Sequence, residues 1–149
     1  MKINGNNKIL LLNFRNEFIN IAREKCKLPV TNKAIPGKYT IVAVSENGKT
    51  IQSQSIKADY MLCPNSFFNK EIECNNVISC GMSNKSTFGL SSIDSERSMF
   101  SVSKPFNVGE KLILPFEEPF KPDNRLSIYE NIVLYGIEKI SDSDICFKY

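Results

Sequence analysis

The sequence predicts an α+β fold in which one N-terminal helix packs on a mainly antiparallel β-sheet or a partly open β-barrel. One early segment has the apolar spacing of an amphipathic helix, and the chain beyond it consists of short strand-like runs. The crossover helices that a doubly wound parallel sheet requires are missing after the first helix. With 149 residues, 42% hydrophobic and 23% charged, the chain suits a single compact domain over residues 1–149.

The N-terminal part supplies the predicted helix. Residues 8–14 form an apolar run suited to a buried strand, and Asn16 can cap a helix that continues to residue 28. An apolar stripe on one side and lysines near the C-terminal end both favour this helix. Pro29 ends it, because proline cannot continue a helix.

Most of the remaining chain is predicted as strands. Asn47-Gly48 lies between two alternating runs, residues 38–44 and 50–56, and therefore predicts an antiparallel hairpin. Neither an internal repeat nor a long linker interrupts the pattern. Further strands are predicted at residues 58–63, 71–74, 77–80, 86–93, 98–102, 111–116, 131–140 and, as an edge strand, 145–149.

The absence of histidine excludes several classes of site. Without an imidazole the chain has no Ser-His-Asp or Cys-His nucleophile and no His-ligated metal. Its five cysteines contain no Cys-x-x-Cys pair, which predicts reduced, buried thiols and neither a metal nor a cofactor. A Ser-Lys pair such as Ser83 and Lys85, or a pair of carboxylates, would be the remaining catalytic option, so enzymatic activity is not favoured but stays open.

Residues 81–87 are the candidate ligand site. A glycine, a lysine and a Ser-Thr pair follow an apolar run, and such a loop can bind phosphate through backbone N–H groups and the lysine charge. The loop departs from the Walker pattern, since Asn84 stands where a glycine is required and a strand follows. It therefore predicts a non-hydrolytic phosphate or nucleotide site, or else a solvated turn. The residues of the predicted site are Gly81, Ser83, Asn84, Lys85, Ser86 and Thr87.

The net charge of +3 is distributed unevenly along the chain. Residues 1–57 carry ten basic and three acidic side chains, a balance of +7, whereas residues 58–149 carry nine and thirteen, a balance of −4. A basic N-terminal part can meet an acidic protein surface or phosphate, or remain solvated. No helix-turn-helix or RNA-binding signature is present, so nucleic acid is not favoured. The helix residues predicted to bind a partner are Arg15, Arg23, Lys25 and Lys27.

Aromatic side chains in predicted loops form a second candidate partner surface. Phe67 and Phe68 follow Pro64, and an aromatic and acidic segment lies among three prolines near residue 119. Exposed aromatic residues dominate the energetics of protein interfaces. The partner-binding residues predicted in the second segment are Phe116, Glu117, Glu118 and Phe120.

Together these observations favour binding over catalysis, and no family resemblance is evident. The sequence predicts a non-enzymatic binding or inhibitory module that engages a protein partner. Abundant Asn, Ile and Lys suggest a low-GC bacterium or its phage, in which case the module would act against a host system. The alternatives are a protein that sequesters or senses a phosphorylated nucleotide through residues 81–87, and a histidine-free enzyme. No signal peptide or membrane span is evident, which predicts a cytoplasmic protein whose oligomeric state stays open.

Overall fold

A computed structural model describes residues 7–47, 55–65, 72–93 and 98–142. The chain is a mixed α/β protein with one large sheet and two helices. The helices are α1 (Asn16–Lys25) and α2 (Ile128–Asp142). The strands are β1 (Ile9–Leu12), β2 (Val30–Thr31), β3 (Gly37–Val44), β4 (Ile56–Pro64), β5 (Ile72–Cys80), β6 (Phe88–Ile93), β7 (Ser98–Val102), β8 (Phe106–Val108), β9 (Lys111–Ile113) and β10 (Phe116–Phe120).

The main sheet has eight strands in the order β10-β7-β6-β5-β4-β3-β1-β2. The five pairings from β2 across to β6 are parallel, and only β7 runs antiparallel, to β6 on one side and β10 on the other. The prediction of a mainly antiparallel sheet was therefore wrong. No barrel closes among the described residues, because β10 and β2 form the two edges of the sheet, while β8 and β9 pair as a separate hairpin.

The predicted hairpin at Asn47-Gly48 is not formed with β3. Strand β3 has β1 on one side and β4 on the other, both parallel, so it has no free edge over residues 41–43 for an antiparallel neighbour. Residues 48–54, which include most of the predicted second strand, lie outside the described residues. Long-range pairing decided which strands lie beside β3.

Residues 131–140, predicted as a strand, lie instead within α2. The helix begins with a capping box. The Ser127 Oγ accepts from the Glu130 N–H at 3.1 Å, and the Glu130 carboxylate accepts from the Ser127 N–H at 2.9 Å. The Ser-x-x-Glu spacing is visible in the sequence, and its helix signal outweighs the strand-like apolar run over residues 132–135 that follows.

The two helices lie on the same face of the sheet. A large buried cluster joins Phe18 and Ile21 of α1, Ile132 and Ile137 of α2, and the inward residues of β1, β3, β4, β5, β6 and β7. A second cluster of ten buried residues lies on the opposite face. Burial on both faces explains why the strands are so apolar, as expected for a parallel sheet.

The helix predicted after Asn16 is present as α1, but its setting differs from the prediction. Arg15 occupies the cap position without a side-chain capping bond, and the helix begins at Asn16. The structure has a second helix, α2, on the same face of a largely parallel sheet. The residues predicted as an edge strand, 145–149, lie outside the described part of the chain.

Candidate functional site

Part-way along β3, β4 and β5, at the same height in all three strands, the alternation of side chains between the two faces of the sheet is interrupted. Residues three apart on a regular strand point to opposite faces of the sheet. Yet Tyr39 and Val42 of β3 belong to one buried cluster, as do Ala58 and Met61 of β4. The register between these strands continues without a slip through this level, so the strands shift together.

The residues at this level are polar. Thr40 lies in β3, Asp59 in β4 and Asn75 in β5, and all three are skipped in the otherwise continuous pairing of their strands. A local departure from regular pairing redirects side chains, which is how bulges create sites in sheets. Here three adjacent strands carry the departure, so the three polar side chains form one row.

Two neighbouring cavities of about 480 and 250 Å³ share this row. Both are lined by Asn7, Thr40, Asp59 and Asn75. We call them together the polar pocket. Its remaining lining residues are Lys38, Tyr39, Lys57, Ala58, Tyr60, Glu73, Asn76, Asn107 and Gly109.

Hydrogen bonds hold the walls of the polar pocket. The Asn76 side-chain amide donates to the Asp59 carbonyl at 3.2 Å and links β5 to β4. The Gly109 N–H donates to the Tyr60 hydroxyl at 3.0 Å, which fixes the β8–β9 turn against the sheet. These bonds tie segments far apart in sequence into one rigid rim.

The polar pocket contains charges of both signs. Lys38 and Lys57 are direct neighbours in the register of β3 and β4, and Glu73 is the neighbour of Lys57 in β5. Desolvation by the pocket walls raises the pKa of Asp59, whereas the charge of Lys38 lowers it. Two ammonium groups, two carboxylates and several amides can together donate to and accept from a polar ligand. A carboxyl of raised pKa in a cavity is also suited to acid–base chemistry, so the predicted histidine-free enzyme stays a prediction.

A repeated pattern of three residues in the sequence indicates this site, although it matches no known motif. Residues 38–40, 57–59 and 73–75 each place a charged residue two positions before a polar one, with an apolar residue between them. Because side chains two apart share a face, this spacing in three strands indicates two polar rows if the strands pair in register. The sequence alone does not show that these three strands pair in register, and the parallel pairing in the structure does.

The predicted phosphate loop has already used most of its backbone donors. Residues 81–87 join β5 to β6, and Ser86 and Thr87 are buried. A phosphate would have to displace these internal bonds or rely on the side chains of the exposed residues Ser83, Asn84 and Lys85, so nucleotide binding here stays a prediction. The N–H groups of Gly81, Lys85, Ser86 and Thr87 donate to Phe88, Ser83, Ser83 and Ser79 respectively at 2.9–3.0 Å.

The same loop bears on the Ser-Lys alternative. A lysine acts as a base when it is desolvated. Lys85 is exposed, and the Ser83 hydroxyl accepts from the Lys85 N–H at 3.0 Å. The geometry around this pair therefore offers no support for covalent catalysis.

Much of the predicted basic surface is paired within the chain. Arg15 contacts the Glu130 carboxylate at 2.9 Å. Lys25 pairs with Asp123 at 3.7 Å and Lys27 with Asp142 at 3.0 Å, whereas Arg23 is exposed. The basic residues in and beside α1 therefore pair with carboxylates from the C-terminal half of the same chain. Part of the uneven charge distribution along the sequence is thus neutralised within the fold.

The predicted aromatic and acidic contact segment forms the edge strand β10. Phe116 and Phe120 pack on the helix-covered core, and Glu118 accepts a short hydrogen bond from the Tyr135 hydroxyl of α2. Glu117 and Pro119 are exposed, and proline suits an edge because it has no N–H to donate. Phe67 and Phe68 lie outside the described residues.

The cysteines of the described segments are free thiols. Cys63 and Cys80 are buried, and Cys26 and Cys74 are half-buried. Burial raises the pKa of Cys26 to about 12 and that of Cys63 to about 11. Neutral thiols are poor nucleophiles and poor metal ligands. Within the four described segments, no three acidic or thiol side chains are grouped to hold a metal ion.

Comparison with known proteins found no matching family model, curated protein or solved structure. Neither α1 nor α2, the helices of the described segments, is long and apolar enough to cross a membrane.

Proposed function

We propose that the protein is a non-enzymatic binding module whose polar pocket holds a small ligand rich in hydroxyl or amide groups. The observation that carries the proposal is the common change of face in β3, β4 and β5. The ladder is interrupted at one level in three strands, and there a row of polar groups lines a cavity in a sheet whose two faces are otherwise apolar. Departures of this kind recur beside functional sites.

The lining chemistry supports this class of ligand. Side-chain amides both donate and accept hydrogen bonds, as do hydroxyl and amide groups on a ligand. The pocket volume falls within the range of small-molecule sites. Because two lysines and two carboxylates line the same site, it favours neither an anionic nor a cationic ligand.

The experiment is a thermal-shift screen of the purified protein against monosaccharides, nucleosides and free amino acids. A ligand at a hundredfold excess over its Kd stabilises the folded state by about 2.7 kcal/mol. We expect a rise in Tm with at least one class and its loss in Asn75→Leu. Asn124→Leu, an equally exposed asparagine in a turn outside the pocket, should keep the shift. No shift with any class, or a shift unchanged by Asn75→Leu, would overturn the proposal.

A protein partner, which is the leading hypothesis from the sequence, is the second candidate. It is favoured by two exposed leucines beside β10, Leu112 at 55% and Leu114 at 62% exposure. Exposed apolar side chains next to an open sheet edge are typical of contact surfaces. Serine substitutions at both positions would abolish such a contact and leave binding of the polar ligand unchanged.

A further inference from the structure

A further cavity, of about 260 Å³, lies apart from the polar pocket. The two sites are lined by different residues of the β8–β9 hairpin. This further cavity is enclosed by β6 and β7, by the β8–β9 hairpin, by the start of β10 and by the end of α2. We call it the phenylalanine cavity. Its lining residues are Phe88, Phe100, Val102, Phe106, Val108, Lys111, Ile113, Phe116, Lys139, Ile140 and Asp142.

Aromatic rings form the walls of the phenylalanine cavity and fix one another. The Phe88 ring meets those of Phe100 and Phe106 edge to face, with centroids 5.3 Å apart in each case. Phe88 and Phe100 are completely buried, so these two rings belong to the core behind the cavity, and its accessible apolar wall comes from the half-buried side chains of Phe106, Ile113 and Phe116. An apolar wall of this kind accommodates hydrocarbon and offers no partner to a polar group.

Three charged residues line the same cavity, and two of them are paired. Lys139 lies 3.0 Å from the Glu118 carboxylate, and Asp142 lies 3.0 Å from the Lys27 ammonium. Lys111 forms no ion pair with any residue of the described segments and is exposed. The cavity therefore combines an apolar interior with one lysine, Lys111, that forms no ion pair within the described part of the chain.

We propose that the phenylalanine cavity binds a small amphipathic carboxylate, with its acyl chain among the phenylalanines and its carboxylate at Lys111. A cavity of this size lies just below the range of drug-sized sites, which suits a short acyl chain. The carboxylate remains at the mouth, where it stays hydrated, and only the hydrocarbon is desolvated. This site is independent of the polar pocket, with which it shares no lining residue.

The test is calorimetric titration of the full chain with hexanoate, octanoate and decanoate, each below its micellar concentration. Burial of each methylene should tighten binding about fourfold until the cavity is full. Octanol, which has the same apolar body without the charge, should bind more weakly than octanoate. A constant affinity along the series, or equal affinities for octanol and octanoate, would refute the proposal.

Two variants locate the site. Lys111→Gln should remove the preference for octanoate over octanol, whereas Lys104→Gln, an exposed lysine outside the cavity, should retain it. Ile113→Phe places a larger ring in the cavity at a half-buried position and should abolish binding while the Tm shows that the protein remains folded. If Lys104→Gln and Lys111→Gln act alike, the carboxylate binds by general charge attraction and the assignment fails. The Asn75→Leu variant should leave octanoate binding intact, which separates this site from the polar pocket.

Discussion

At the scale of single residues, Gly136 of α2 lies directly against the ring of Phe88. A Cβ added at Gly136 would lie 2.5 Å from one Phe88 ring carbon and 2.7 Å from another. Phe88 is completely buried and has little room to move. The glycine is thus required by packing, although it weakens the helix that contains it.

Gly136→Ala sets two effects against each other. Alanine should favour the helix by about 1 kcal/mol, but overpacking a core costs roughly 1–3 kcal/mol. Because the clash is with a buried ring, we expect overpacking to dominate and to give a net destabilisation of up to about 2 kcal/mol, measured by urea unfolding. In a Phe88→Leu background the same substitution should become neutral or stabilising. An equal cost in both backgrounds would show that the ring is not the obstacle.

At the scale of elements, Glu130 connects α1 to α2. Its carboxylate closes the capping box of α2 and accepts from the Arg15 Nε at 3.0 Å and Nη2 at 2.9 Å. Arg15 also donates to the Arg125 carbonyl at 2.7 Å. One buried carboxylate therefore fixes both the start of α2 and the beginning of α1.

Glu130→Ala should destabilise the protein by about 2 kcal/mol, since it removes the acceptor that closes the capping box and the buried carboxylate that binds Arg15, which would keep only Glu17 and the Arg125 carbonyl as partners. The measurement is the urea midpoint, with the slope of the transition as a check on two-state behaviour. Glu117→Ala, at an exposed position of β10, should change stability by less than about 0.5 kcal/mol. Similar effects of the two substitutions would contradict the role assigned to Glu130.

At the scale of the whole molecule, carboxylates of the C-terminal half tie its segments together. The pKa of Asp123 is lowered, first by hydrogen bonds from Arg125. Burial acts to raise the pKa of Glu118, but hydrogen bonds from Tyr135 and Lys139 outweigh it and the net shift is downward. Glu130 likewise has a lowered pKa, because the hydrogen bonds from its partners outweigh burial.

These shifts predict acid sensitivity. A carboxyl whose folded pKa lies below its unfolded value stabilises the fold fully above the unfolded pKa, near 4. That stability is lost as the pH falls through the folded pKa. We therefore expect the urea concentration at the unfolding midpoint to decrease as the pH is lowered from about 5 to about 3, the range around the ordinary carboxyl pKa of about 4.

A matched variant tests the assignment. Glu118→Gln removes one of the titrating groups and should make the acid dependence shallower, although it lowers stability at neutral pH. Asp59 and Glu138 have raised pKa values, with burial as the first cause, and act in the opposite sense. A midpoint that is constant down to pH 3 would contradict the predicted linkage.

The positions of most elements were predictable because they depend on local patterns. The apolar runs at β1, β3, β4, β6 and β7 and the amphipathic stripe of α1 come from side-chain spacing within a few residues. Strand β5 emerged as one element where two short strands were predicted. The strand prediction failed at α2, where the continuous apolar run over residues 132–135 suggests a strand although the preceding capping box indicates a helix.

The candidate site was less predictable than the fold. The polar pocket takes its lining from β3, β4, β5, the β8–β9 hairpin and Asn7, two residues before β1, so no continuous motif contains it. Residues 81–87 are predictable as a candidate site because they are adjacent in sequence. In the structure, however, most of the backbone N–H groups of this loop donate to acceptors within the chain. That the chain forms one domain, and that it binds a partner, remain predictions.

The sequence by itself determined where the first helix and several of the strands form, which catalytic classes a histidine-free chain excludes, and how charge divides between the two halves. Only the tertiary structure decided the direction of the strands, because pairing between β3 and its neighbours depends on contacts among segments distant in sequence. The same pairing aligned the polar residues of three strands into one row and brought the basic α1 against the acidic C-terminal half. Local patterns limit what each segment can become, and long-range packing selects which surfaces meet.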